Sequence, residues 1–220
     1  MGSLGSLTSR EVGQDRILLL PLGSTEQHGP HLPLGTDTMI ASAVAHQAAA
    51  RVPNALVAPP LAIGASGEHQ GFPGTLSVGT EVFAAAIVEI VRSAGPEFSR
   101  VVLVNGHGGN ADAVVRADET CRAEGRNVSV WFPRVVGGDA HAGATETSVM
   151  LALAPDQVRR ADAVVGATEP LPEVLDQLRR GGVRSVSANG VLGDPRSASA
   201  EQGQVIIDQW VEEVVELLTR

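Results

Sequence analysis

Imidazole and carboxylate side chains gather in four Gly- and Pro-rich segments of this chain. Residues 23–37 carry Glu26, His28, His31 and Asp37, and residues 64–75 carry Glu68 and His69. Residues 106–110 carry His107, and residues 137–146 carry Asp139, His141 and Glu146. Only His46, of 6 histidines, lies elsewhere, and its place inside a helical stretch marks it as structural. Imidazole and carboxylate donors without thiolate suit zinc, manganese or ferrous iron. Glu26 and His28 are two positions apart, so an extended segment turns both side chains the same way. Asp37 closes that segment with two oxygens able to bridge a pair of metals. His107 leaves a strand end directly, and Glu146 falls where a helix begins and its dipole favours a carboxylate. Singly, each has an ordinary reading: Asp37 as a helix N-cap, Glu146 as a first-turn acid, a loop histidine as a surface group. Those readings leave unexplained why glycine and proline surround every cluster.

The elements that must position these groups alternate along the chain. Short apolar runs at residues 17–22 (ILLLPL), 55–59 (ALVAP), 101–105 (VVLVN) and 128–132 (VSVWF) read as strands buried on both faces. Helical spacing appears at residues 38–51, 80–94, 110–124, 147–153 and 200–218. The last of these puts Ile206, Ile207, Trp210, Val211, Val214, Val215 and Leu218 on one stripe. This order predicts an α/β fold: three α/β/α layers around a mostly parallel sheet, in a single domain over residues 1–220. Each chemical segment follows one strand, so a parallel sheet brings all four to one edge, where such folds bind ligands.

Composition excludes several classes. With 16 Lys and Arg against 25 Asp and Glu, a net charge of −9 offers nothing to nucleic acid or an anionic membrane. Aromatic residues make up 3% and Tyr is absent, so base stacking is not expected. Cys121 is the single cysteine and reads as a small helix residue. With no basic-apolar leader pattern and no run of ~20 apolar residues, a cytoplasmic enzyme is the simplest expectation. The stretch Gly106-His-Gly-Gly-Asn-Ala111 formally fits a dinucleotide loop, but the next strand ends in Phe132-Pro133-Arg134 without the acid a ribose needs. No G-x-S-x-G elbow supports a serine hydrolase. A non-catalytic metal-binding scaffold remains as the alternative from another class.

The run Leu22-Gly-Ser-Thr-Glu26-Gln-His28-Gly-Pro-His31-Leu-Pro-Leu-Gly-Thr-Asp37 resembles the hallmark of the creatininase (creatinine amidohydrolase) family. So do Gly67-Glu68-His69 through Phe72-Pro-Gly-Thr75, Asn105-Gly-His107-Gly-Gly-Asn110, His141-Ala-Gly-Ala-Thr-Glu146, and Asn189-Gly-Val-Leu-Gly-Asp194. The resemblance implies a creatininase-like fold and two divalent metal ions per subunit. It implies one metal held by Glu26, Asp37 and His107, and another by His28, Asp37 and Glu146. His141 becomes the catalytic acid and base, and a homo-oligomer such as a hexamer or octamer is expected. Glu68 joins His141 as a catalytic candidate, and His69 and His31 as groups gripping a substrate's polar end; His31 has a second reading, orienting a ligand. Two positions depart from creatininases proper: Gly109 stands where they have Glu, and Gly137 where they have a substrate-covering Trp. Creatinine is therefore not the expected substrate. The Gly67-Glu68-His69 segment looks most like the mycofactocin-system peptidase branch, which releases a modified C-terminal Val-Tyr unit from a small precursor peptide. Hydrolysis of cyclic amides or formamides is the alternative within the family.

Overall fold

The computed structural model describes residues 2–220. Four strands, β1 (Arg16–Leu22), β2 (Ala55–Val57), β3 (Phe98–Asn105) and β4 (Val128–Trp131), form one sheet. Its order is β2-β1-β3-β4 and every neighbouring pair is parallel. Leu19 sits opposite Val57 on one side and Val102 on the other, so the apolar runs pair along their length. β3 starts three residues before its apolar run because Phe98 already pairs with Arg16. β2 is shorter than its apolar run because Pro59 and Pro60 have no N–H to offer the ladder.

Helices cover both faces: α1 (Thr36–Ala49), α2 (Thr80–Ser93), α3 (Ala111–Ala123), α4 (Ala144–Leu153), α5 (Leu171–Gly181), α6 (Val183–Val186) and α7 (Ala200–Thr219). The strand pleat sorts side chains between two cores. Ile17, Leu19, Val102 and Val104 pack with Val44 of α1, Met150 of α4, and Ile207 and Val211 of α7. Leu18, Leu20 and Leu103 pack on the other face with Phe83 and Ile87 of α2, Val114 of α3 and the buried Cys121. The layers are thus those the alternation of elements predicts. No helix among the described residues is long and apolar enough to cross a membrane.

Two features depart from the sequence pattern. α5 and α6 occupy a stretch where periodicity had marked no element, and α5 buries none of its residues fully. α4 begins at Ala144, three residues before the helical pattern at 147, and Glu146 lies in its first turn as expected.

Candidate metal centre

The parallel sheet does gather the four segments at the ends of its strands. Asn110, fully buried, ties three of them together. Its side-chain amide donates to Gly23 O at 3.0 Å after β1, its oxygen accepts from Ala65 N at 2.8 Å after β2, and it donates to Asn105 Oδ1 at 3.1 Å at the end of β3. The fourth segment is held by Asp139, whose carboxylate accepts the free backbone N–H groups of Ala144 and, at 3.0 Å, of Thr145 at the start of α4. Asp37 enters from the first turn of α1 and Glu146 from that of α4.

The result is a dense, buried cluster. Glu26 and His28 are 0% exposed, and Asp37, His107, His69 and His141 are all buried. Asp37 lies between two imidazoles: its Oδ1 is 3.0 Å from His28 Nε2 and its Oδ2 3.1 Å from His107 Nδ1. His28 Nε2 is also 3.9 Å from Glu146 Oε2. Glu26 faces His107 Nε2 at 3.0 Å and His69 Nε2 at 3.1 Å, with His141 Nδ1 at 3.8 Å. Glu68, at the cavity edge, brings a carboxylate to 3.2 Å from His107 Nε2. A Cβ at position 109 would overlap both Glu68 and the His107 ring, so the glycine there makes room for Glu68.

Trios of candidate ligand atoms within 4.8 Å of one another are Glu26–His28–Asp37, Glu26–Glu68–His107, His28–His141–Glu146 and Glu26–His69–His141. The five residues expected to hold metal therefore share one patch with His141, Glu68 and His69. His107 turns Nδ1 to Asp37 and Nε2 to Glu26, so each of its ring nitrogens faces one of these carboxylates. His31 stands behind the patch rather than in the cavity. It is fully buried and its Nε2 meets Thr147 Oγ1 at 2.9 Å, next to Glu146.

The donor set fits a cation. Both oxygens of the buried Glu26, and His107 Nε2, lack any hydrogen-bond partner. An ion held this way is costly unless a charge of opposite sign answers it. Burial accordingly lifts the Glu26 carboxyl to about 8 and the Glu146 carboxyl to about 7. Burial, with His28 and His69 nearby, holds His141 well below the ordinary imidazole range.

The hydrogen bonds also fix which ring nitrogens carry protons. His28 Nδ1 lies 3.1 Å from the Glu26 carbonyl, an acceptor only, so Nδ1–H donates there and Nε2 is the nitrogen turned toward Asp37 and Glu146. The key to the remaining two is Gln27, to which sequence reasoning had given no role. Its Oε1 accepts from Gly29 N at 2.9 Å, which settles the amide orientation. Its Nε2 donates to Gly190 O at 3.0 Å and to His69 Nδ1 at 2.9 Å. His69 therefore carries its proton on Nε2 and offers no lone pair to the cluster. His141 Nε2 lies 2.9 Å from the Gln27 carbonyl, so it is the donor there and His141 Nδ1 is left unprotonated, facing Glu26. The signal available in the sequence was its place: an amide between two ligand candidates, Glu26 and His28.

A cavity of about 610 Å³ opens onto the cluster, with Glu68, His69, His107, His141 and Glu146 along one side. That volume is in the range of small-molecule and peptide-end sites.

Comparison with known proteins agrees with this geometry. The family model described as creatinine amidohydrolase matches residues 6–218. The mycofactocin precursor peptide peptidase of Mycolicibacterium smegmatis is 50% identical over 215 residues, covering 94% of this chain and 87% of that one. A crystal structure of creatinine amidohydrolase (creatininase) superposes with a TM-score of 0.82 at 28% identity, covering 98% of this chain and 96% of that one. A mutant creatininase described as Zn-Zn type gives 0.81, also at 28% identity, with the same coverage of 98% and 96%. With the family model running through nearly the whole chain and a solved creatininase sharing its fold, the chain belongs to the creatininase family of amidohydrolases.

Proposed function

We propose that this protein is a metal-dependent peptidase that cleaves an amide bond in a mycofactocin-type precursor peptide and releases its modified C-terminal Val-Tyr unit. The observation that carries the reading is the fully buried Glu26 carboxylate, without a well-formed hydrogen bond, set among imidazoles that line a cavity large enough for a peptide end. The similarity to the mycobacterial peptidase supports the choice of substrate.

Glu26, Asp37 and His107 would hold one divalent cation, and His28, Asp37 and Glu146 the other. The likeness to a Zn-Zn-type creatininase supports zinc as one candidate, alongside manganese and ferrous iron. When bound, such cations supply Lewis-acid polarisation of the scissile carbonyl and a more acidic water. His141 moves the proton: its Nδ1 accepts one and delivers it to the leaving nitrogen, while Glu26 at 3.8 Å offsets the imidazolium charge. Gln27 holds the ring of His141 through its carbonyl and that of His69 through its amide. His69 keeps its Nε2–H beside Glu26, and Glu68, the most exposed acid of the cluster, meets the polar part of the substrate. His31 steadies α4 through Thr147. A cytoplasmic location and a homo-oligomer belong to the same reading.

The test is direct. The metal-loaded protein is incubated with a precursor peptide carrying the modified Val-Tyr end, and the products are weighed by mass spectrometry. Release of the C-terminal unit is expected. An intact peptide after prolonged incubation with each of zinc, manganese and ferrous iron rejects the peptidase reading.

A further inference from the structure

The cavity has two walls of opposite character. One is the cluster of imidazoles and acids. The other is α5, which lines it with Leu171, Leu175 and Leu178, continued by Val183 and Leu192. These α5 positions, with Val174, follow the spacing of a single helical stripe. Such a stripe ordinarily packs into a core, yet here Leu175 and Leu178 are only half-buried and Leu171 is 43% exposed. The helix is nonetheless anchored to the site. Gly182 at its C-terminal end has a φ of 67° and lies so close to the Glu68 carbonyl that a Cβ would overlap it. Just beyond, Arg184 Nη1 donates to Gly71 O at 2.7 Å and its guanidinium lies 5.5 Å over the Phe72 ring. α5 is thus fixed to the very segment that carries Glu68 and His69, and its leucines keep a set distance from the cluster.

We infer that α5 is the specificity wall of the site, and that Leu171, Leu175 and Leu178 receive the apolar side chain adjoining the scissile amide. A substrate filling this cavity is two-faced, with its amide on the charged wall and a branched aliphatic or aromatic group on the leucines. The inference rests on the peptidase reading for its choice of ligand, since a Val-Tyr unit has that character. The opposed walls themselves do not depend on it.

Calorimetry of the synthetic modified Val-Tyr unit against the metal-loaded protein tests it. Leu175→Ser and Leu178→Ser are each expected to weaken binding about tenfold, the discrimination an apolar pocket gives for lost hydrocarbon contact. Leu175→Met is expected to stay within about twofold. Metal content and the mass in solution should match the parent. Where a serine variant fails to fold, Leu171→Ser at the exposed end of the helix is judged by the same loss. Unchanged binding in the folded serine variants overturns the inference, as does failure of the parent protein to bind the unit. A changed mass with unchanged binding also overturns it and makes α5 a face between copies. If the parent binds the unit but leaves the whole peptide uncut, the peptidase reading falls and the wall stands. If it cuts the peptide with the same KM in every variant, the wall alone falls.

Discussion

Gln27 shows how much one residue without charge can decide. Its side-chain amide donates to His69 Nδ1, so His69 turns Nε2–H toward Glu26, while its backbone carbonyl accepts from His141 Nε2 and leaves the His141 Nδ1 lone pair facing the cluster. Replacing Gln27 by Leu removes the donor to His69 and Gly190 and frees the ring of His69. Turnover is expected to fall ~10–100-fold with bound metal unchanged, the size seen when a partner that orients such residues is lost. Elemental analysis beside steady-state kinetics checks this, and a variant with full turnover would refute the positioning role. The ligands and the proton carrier separate in the same assay. His107→Ala is expected to lose both metal and turnover. His141→Ala is expected to lose ~10²–10⁴-fold in turnover and keep its metal. His107→Ala with full metal content would remove His107 from the ligand set.

At the scale of elements, two contacts hold α4, the helix that carries Glu146. α7 crosses α4 so closely that a Cβ on Gly203 would overlap the Ser148 carbonyl. Gly203→Ala is therefore expected to destabilise the fold by about 1–3 kcal/mol through overpacking, read as a lower thermal midpoint. Asp139 caps α4 from outside the helix, and Asp139→Ala is expected to cost about 1 kcal/mol and to weaken metal binding through Glu146. An unchanged midpoint in both variants would show that α4 is held by something else. The strands and the five long-patterned helices were legible in the sequence because each buries an apolar stripe or run. α5 was not legible, because its leucines face a cavity instead of a core and its surroundings are polar and glycine-rich. Glu146 was correctly read as a first-turn acid, but the start of α4 was set three residues late, since the cap that starts the helix, Asp139, lies five residues before its first turn rather than next to it.

For the whole molecule, the parallel sheet is what turns four distant segments into one site. The residue types at that edge could be read from spacing and composition alone, and the five expected ligands do fall together. The sequence could not reveal that His107 divides its two nitrogens between Asp37 and Glu26, because ring orientation is settled by packing, here against Gly109, rather than by spacing. Nor could it reveal that His31 turns away to Thr147. Because the cluster joins all four strand ends, bound metal should stabilise the entire fold, and chelation is expected to lower the thermal midpoint, by an amount that grows with the logarithm of the metal affinity. A midpoint indifferent to chelator would mean the cluster is stable without cations. The most direct test is anomalous diffraction at the metal absorption edge from crystals grown with manganese or zinc. Two peaks are predicted at the strand ends, flanking Asp37, one against Glu26 and His107 and the other against His28 and Glu146. Metal bound elsewhere, with these side chains left in contact only with one another, would contradict the proposed centre.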